Sequence, residues 1–314
     1  ECGSFPKPTH VPSIAVRVGA VYMLFILTVR AVWRSAEWRT EAMLFRSGLA
    51  VCPLNAKVHY NIAKNAGDAG NRTLAVSEYR EALRLHSEYD QAMNNLANIL
   101  KDEGKLKEAE DLLCKAVKLR PDFAAAWMNL GIVLAGLKRH AEAEQSYFTA
   151  LVHRKKYPDC YYNLGNLYLD EQRYEDAYRA WRNATALKPT HTVAWSNMII
   201  MLDSIGEMEK AETVAQEALS ILPMEPSLHF NLANTLGKAG RFAEAEKHFT
   251  EAIGLDMKNP VYYTNLGVLY HRWKKYDKAE RLYLRALELN PQLQSAKENM
   301  ALLKRARSRM TGRH

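Results

Sequence analysis

The sequence predicts an all-α fold: a right-handed superhelical solenoid of stacked helix pairs, preceded by one membrane helix. Three observations carry this. Alanine recurs every 34 residues, at Ala75, Ala109, Ala143, Ala177, Ala211, Ala245 and Ala279. Asparagine keeps the same period fourteen residues earlier, at Asn61, Asn95, Asn129, Asn163, Asn197, Asn231 and Asn265. Ahead of both, Val18 to Val29 is an unbroken apolar run.

A 34-residue period is that of the tetratricopeptide repeat, a helix pair that buries its apolar face only by stacking on its neighbours. The 314 residues are 48% hydrophobic and 25% charged, an ordinary globular composition. The net charge is +8, but much of the excess sits outside the repeats. Lys304, Arg305, Arg307, Arg309 and Arg313 crowd one end, and Arg30, Arg34 and Arg39 follow the apolar run. That pattern reads as a solvated tail, and no nucleic-acid partner is expected. The cysteines Cys2, Cys52, Cys114 and Cys160 form neither a CxxC pair nor a zinc spacing, so no metal is expected. Cys114 and Cys160 fall on predicted helices, as small core hydrophobes. The chain opens on glutamate, as a processed or partial chain would.

Taken in order, residues 1–13 are a proline-rich polar linker. Residues 14–34 read as a membrane helix: from Ile14 to Trp33 only Arg17 and Arg30 are charged, and both lie near the ends, where long cationic side chains snorkel to the headgroups. Trp33 and Trp38 suit the interfacial belt. The competing reading is a buried capping helix of the solenoid. No small-residue cleavage site frames the run as a signal peptide. Residues 35–55 read as one amphipathic capping helix ending at Cys52-Pro53. Seven repeats fill 56–293, opening at Ala56, Asp90, Ala124, Pro158, Thr192, Pro226 and Pro260. Residues 294–314 are a capping helix and basic tail.

Within each repeat the positions have physical reasons. Position four is large in most units (Trp127, Tyr161, Trp195, Tyr263) and is expected to fill the gap between the two helices. Position eight is small in all units but one, as at Gly165 and Gly267, so that the second helix can approach; Ile199 breaks the rule and predicts a wider crossing. Position 24 is usually large, as at Tyr79, Trp181 and Tyr283, and position 27 is alanine throughout. Prolines at position 32 (Pro121, Pro189, Pro223, Pro291) stop the second helix.

The asparagine column lies at position six of the first helix, and in stacked pairs the first helices line the concave face. Seven amides would then form a ladder along a groove, each offering a donor and an acceptor to match a peptide unit. Such a ladder would grip an extended polypeptide without reading its sequence. The alternative is bonding within each amide's own repeat. Positions five and nine present a mixed aromatic and polar surface suited to protein, and Tyr60 stands where carboxylate-clamping units carry lysine. Two sequons occur, Asn71-Arg72-Thr73 and Asn183-Ala184-Thr185. Asn71 falls in a turn and is the better glycosylation site; Asn183 falls within a second helix. No phosphate loop, nucleophile elbow or HExxH is present, and His59 and His229 occupy packing positions. No catalytic residue is assigned to this chain.

Six stretches exceed the generic repeat pattern: Leu44 to Asn61, Arg34 to Glu41, Pro121 to Gly131, Lys156 to Tyr168, Ala180 to Thr185 and Leu269 to Trp273. They resemble the transmembrane and tetratricopeptide-repeat-containing O-mannosyltransferases that target cadherins. The resemblance implies an endoplasmic reticulum membrane protein with its repeats in the lumen and residues 14–34 as its last transmembrane helix. It implies transfer of mannose from dolichyl phosphate mannose to Ser or Thr of cadherin-like acceptor polypeptides, with catalytic acids in an early lumenal loop that this sequence does not contain. The repeats would be the arm that recruits the acceptor, needing no cofactor of their own. Charge points the other way, since Arg30, Arg34 and Arg39 would place that side in the cytosol; the resemblance is favoured because the rule is statistical. The rivals are a non-catalytic membrane-anchored scaffold or chaperone cofactor, and the repeat arm of a nucleocytoplasmic sugar transferase.

Overall fold

The computed structural model describes residues 14–311, and every regular element among them is an α-helix. The linker expected over 1–13 lies outside the described residues. The chain forms two compact units that meet in sequence between Lys138 and Arg139.

The first unit holds α1 (Ile14–Glu37), α2 (Glu41–Val51), α3 (Ala56–Asp68), α4 (Arg72–Leu85), α5 (Asp90–Asp102), α6 (Leu106–Leu119) and α7 (Ala124–Gly136). Helix α1 runs past Arg34 to Glu37, because Ser35, Ala36 and Glu37 carry no helix breaker. The break falls at 38–40, where the Thr40 side chain accepts the Met43 N–H at 3.2 Å and starts α2. Residues 35–55 are therefore not one helix. The apolar run of α1 is exposed from Val16 to Trp33, which removes the reading of a buried capping helix. Among the described residues α1 alone is long and apolar enough to cross a membrane.

The second unit holds α8 (His140–His153), α9 (Pro158–Asp170), α10 (Tyr174–Leu187), α11 (Thr192–Ser204), α12 (Met208–Ile221), α13 (Pro226–Lys238), α14 (Phe242–Leu255), α15 (Pro260–Arg272), α16 (Tyr276–Leu289) and α17 (Gln294–Thr311). Helix α17 buries Ala296, Met300 and Leu303. It packs on α15 and α16, and Arg307 bonds Asp277 and Glu280 of α16. Arg307 thus leaves the solvated tail and fastens the cap.

Both alanine columns are sealed. From Ala75 to Ala279, and from Ala82 to Ala286, every member is 0% exposed. Positions eight and 24 divide one volume between them. A Cβ on Gly165 would stand 2.4 Å from the Trp181 indole nitrogen, and one on Gly267 would stand 2.5 Å from the Tyr283 ring. Where Ile199 replaces the small residue, α11 and α12 approach less closely than the pairs α9–α10, α13–α14 and α15–α16 of the same unit. Cys160 is buried and its thiol faces the Tyr147 carbonyl at 3.5 Å. Cys114 is exposed, not a core residue, because α6 turns it outward. The turn between paired helices needs a left-handed residue at position 15: Gly70, Gly104, Gly206 and Gly240 supply it, and Lys138, Gln172 and Lys274 adopt it with a side chain.

Position four does more than fill a gap. Its polar tip reaches the carbonyl six residues upstream and ties down the turn that leads into the repeat. Trp127 Nε1 donates to Pro121 O at 2.7 Å, Trp195 Nε1 to Pro189 O at 2.9 Å, and the Tyr263 hydroxyl to Met257 O at 3.2 Å. His59 Nε2 and His229 Nε2 face Pro53 O and Pro223 O at 2.9 and 3.0 Å. A ring nitrogen facing a carbonyl must carry the proton, which fixes the rest of each ring.

The two histidines then diverge. His59 Nδ1 faces the Glu78 carboxylate at 2.7 Å, an acceptor only, so this ring is suited to the doubly protonated form. Burial opposes that charge, but the Pro53 carbonyl and the Glu78 carboxylate outweigh it and raise the His59 pKa above 6.5. His229 Nδ1 instead meets His248 Nδ1 at 3.1 Å, where one neutral ring donates to the other and a second proton finds no acceptor. Burial, then the neighbouring His229 and Lys247, lower the His248 pKa below 6.5 against the weaker pull of Glu251 and Glu244. The signs are opposite. A raised value stabilises fully below 6.5 and fades as pH rises through it; a lowered value removes stability as pH falls below 6.5. Thermal melts should show His59→Gln most destabilising near about pH 5 and least near about pH 8. His248→Gln should gain on the parent protein only near the acidic end.

Candidate functional site

The asparagine column does not behave as one ladder. In the first unit, Asn129 is buried and its Nδ2 donates to Asn94 Oδ1 at 2.9 Å. Asn94 Nδ2 donates to Asn95 Oδ1 at 3.2 Å, and Asn95 Nδ2 donates to the hydroxyls of Tyr60 and Tyr79, each at 3.2 Å. This is a continuous chain of side-chain hydrogen bonds across three successive repeats. Burial meanwhile pushes the Tyr79 hydroxyl up to about 12, so it stays protonated at neutral pH. Asn95 and Asn129 therefore act as staples between repeats. Asn61, on α3, is half-buried and has no side-chain hydrogen bond among the described residues.

In the second unit, Asn163 Nδ2 bonds back to Asp159 O at 2.8 Å and Asn265 Nδ2 to Val261 O at 3.0 Å, both within their own helices. Asn197 Nδ2 donates to Asn166 Oδ1 at 3.1 Å and faces the Tyr162 hydroxyl at 3.5 Å, in the preceding repeat. Asn231 is different. It is 8% exposed, yet its amide has no hydrogen bond among the described residues. The preceding repeat offers it no acceptor. Asn95, Asn129 and Asn197 find acceptors at position five or nine of the repeat before: Tyr60, Asn94, Tyr162 and Asn166. Ahead of Asn231 those positions hold Ser196, too short to reach, and Ile200, which accepts nothing.

Asn231 opens into a groove of about 390 Å³ formed by three first helices. Helix α11 supplies Ile199, Ile200 and Asp203; α13 supplies Phe230, Asn231, Asn234 and Lys238; α15 supplies Asn265, Val268, Leu269 and Arg272. Phe249 of α14 closes the back. Phe230 is held by edge contact with Phe249 and by Tyr262, with centroids 5.9 and 4.9 Å away. Asp203 Oδ2 bonds Lys238, which balances its charge, while Asp203 Oδ1 is buried with no hydrogen-bond partner among the described residues. The sequence reading missed Asp203, Lys238 and Arg272. The signal was available: steps of three and four along α13 and α15 from Asn231 and Asn265 reach Asn234, Lys238, Val268 and Arg272 on one helix face.

The sequons also separate. Asn71 is exposed and caps α4, its Oδ1 accepting the Leu74 N–H at 3.1 Å, while Nδ2, the atom a glycan would occupy, makes no bond among the described residues. Asn183 is exposed on α10, but Thr185 of its sequon is 2% exposed and donates to Arg182 O at 3.1 Å. Among the described residues no cluster of three His, Cys, Asp or Glu side chains is placed to hold a metal.

Sequence profiles of the tetratricopeptide repeat match residues 60–122, 100–159, 158–191, 226–259 and 260–293, more than half of the chain. A tetratricopeptide repeat protein of Parabacteroides merdae superposes with a TM-score of 0.58 at 18% identity, over 79% of this chain and 98% of that one, which shows the fold. Protein O-mannosyl-transferase TMTC4 of Homo sapiens is 57% identical over 77 residues, 24% of this chain and 10% of that protein. Protein O-mannosyl-transferase F38B6.6 of Caenorhabditis elegans is 42% identical over 72 residues, 23% of this chain and 10% of its own length. Each match thus spans about a tenth of the relative. With the helix pairs, the sealed alanine columns and these matches together, the chain belongs to the tetratricopeptide-repeat family, and the curated proteins it resembles there are protein O-mannosyl-transferases.

Proposed function

We propose that these repeats are the polypeptide-binding arm of a protein O-mannosyltransferase of the endoplasmic reticulum membrane. The arm lies in the lumen, tethered by α1, and holds acceptor polypeptide, cadherin-like by family resemblance, near a catalytic half that draws mannose from dolichyl phosphate mannose. Its part in the reaction is to raise the local concentration of Ser and Thr acceptors, as any tethered binding module does. One observation supports this most: the side-chain amide of Asn231, without a hydrogen bond among the described residues, stands at the wall of a groove whose floor is apolar. A peptide unit laid in the groove satisfies both ends of that amide. Asn234, also without a side-chain bond among the described residues, and the free oxygen of Asn265 extend that contact. In the first unit Asn61 likewise has no side-chain bond among the described residues, and Asn65 Nδ2 is buried without a partner.

The test is acceptor O-mannose occupancy, read by mass spectrometry in cells whose full-length enzyme carries Asn231→Ala and Asn234→Ala. Occupancy should fall severalfold while the melting profile of the repeats holds. Unchanged occupancy would remove the groove from the reaction. Alanine at Asn95 or Asn129 is not a binding test, since it cuts the inter-repeat staple and strikes the fold. For location, Asn71 should carry an endoglycosidase-sensitive glycan that Asn71→Gln removes; an unmodified Asn71 would contradict the lumenal side.

A further inference from the structure

We propose that the groove on α11, α13 and α15 selects extended segments in which an apolar side chain neighbours an acidic one. This rests on the polypeptide-binding reading above and specifies its substrate class. The floor is apolar: Ile200, Val268 and Phe249 offer a seat for one branched or aromatic side chain. Asn231 and Asn234, three residues apart on one helix, face the same side and leave their amides to a peptide backbone. The remaining charge decides what sits beside the apolar residue. The groove has one acid, Asp203, whose Oδ2 bonds Lys238 while its Oδ1 is buried without a partner among the described residues, so Lys238 and Arg272 leave the lining with one excess positive charge. Arg272 stands at the α15 rim with no carboxylate partner among the described residues; its guanidinium carbon lies 5.8 Å from the centre of the Phe242 ring. One uncompensated guanidinium at the mouth of an apolar groove attracts a carboxylate, and its planar fork binds one bidentately. A lysine in the same place meets Arg272, and the Asp203 charge is already balanced by Lys238. A phosphodiester chain gains one cation and no second, too little for a nucleic-acid groove.

Fluorescence anisotropy on the whole chain in detergent tests this with three labelled eight-residue peptides, capped at both ends so that no terminal carboxylate contributes. They are identical except for Leu-Asp, Leu-Asn or Leu-Lys at the centre. The Asp peptide should bind about tenfold tighter than the Asn peptide, the gain expected of a charge-assisted bond in a partly exposed site, and the Lys peptide weakest. Arg272→Gln should erase the difference between Asp and Asn peptides while leaving the Asn peptide's affinity in place, and Arg272→Glu should favour the Lys peptide. Arg272 is exposed, so both variants should keep the parent melting profile. Equal binding of all three peptides, lowered by Asn231→Ala, overturns the acidic preference and spares the groove. If no peptide binds, or if Asn231→Ala changes nothing, the polypeptide-binding reading falls with it.

Discussion

Replacing Trp181 with alanine is expected to destabilise the second unit by about 3–5 kcal/mol, the usual range for deleting a large buried aromatic. The indole is completely buried, donates to Tyr162 O at 3.2 Å, and lies against the backbone of Gly165 on the facing helix. Nothing else can fill the space, because the same volume is shared between positions eight and 24 of the repeat. The reciprocal change is informative. Gly165→Ala places a methyl 2.4 Å from the indole nitrogen, so the ring or the helix must move, and the expected loss is about 1–3 kcal/mol. Residues in contact do not add: a smaller ring partner makes room for the methyl, so Gly165→Ala should be milder in a Trp181→Leu background, with a coupling energy of about 0.5–3 kcal/mol. Urea unfolding of the four proteins reads this cycle. Because each repeat is stabilised by its neighbours, the Trp181→Ala transition should also broaden as repeat four unfolds ahead of the rest. Strict additivity would mean that the two positions do not share a volume.

How far the sequence foretold this depends on how local each signal is. The helix starts fall at the residues the period marks, from Ala56 to Pro260, because proline, capping side chains and a left-handed turn act over three or four residues. The small-against-large exchange was legible as two columns, since Gly165 and Trp181 belong to one repeat. The partners of the asparagines were not. Asn95, Asn129 and Asn197 bond side chains 31 to 35 residues away in another repeat, so a column of identical residues conceals amides with different duties. Ahead of Asn231, Ser196 and Ile200 stand where Tyr60, Asn94 or Asn166 stand elsewhere. That difference lies in the variable positions, which a consensus reading treats as noise. Position four was misjudged for a related reason: its size was visible, but its hydrogen bond to a carbonyl in the preceding turn required the geometry of that turn.

Leu24→Arg is expected to prevent α1 from spanning a membrane. Leucine at the centre of a span is favourable by about 0.5 kcal/mol, and arginine is unfavourable by roughly 2.5–3.5 kcal/mol, so insertion should fall by about a hundredfold or more. The position is chosen from the two arginines already present. Arg17 and Arg30 are separated along the helix by about 20 Å, and each side chain extends several ångströms further, so in a span they would reach opposite headgroup layers of a core of about 30 Å. An arginine at 24 sits near the middle of that interval and reaches neither. The neighbouring Val21, Tyr22, Phe25 and Leu27 are exposed, and none is an acid that could pair with it. Alkaline carbonate extraction of membranes reads the result, with Leu24→Ala as the control that stays apolar enough to insert. If Leu24→Arg remained as firmly embedded as its parent, α1 would not be a span, and the exposed apolar surface from Val16 to Trp33 would have to be covered by protein. The tether assigned to the repeats would then be lost, while the groove on α11, α13 and α15, built from residues more than 150 positions away, would stand unchanged.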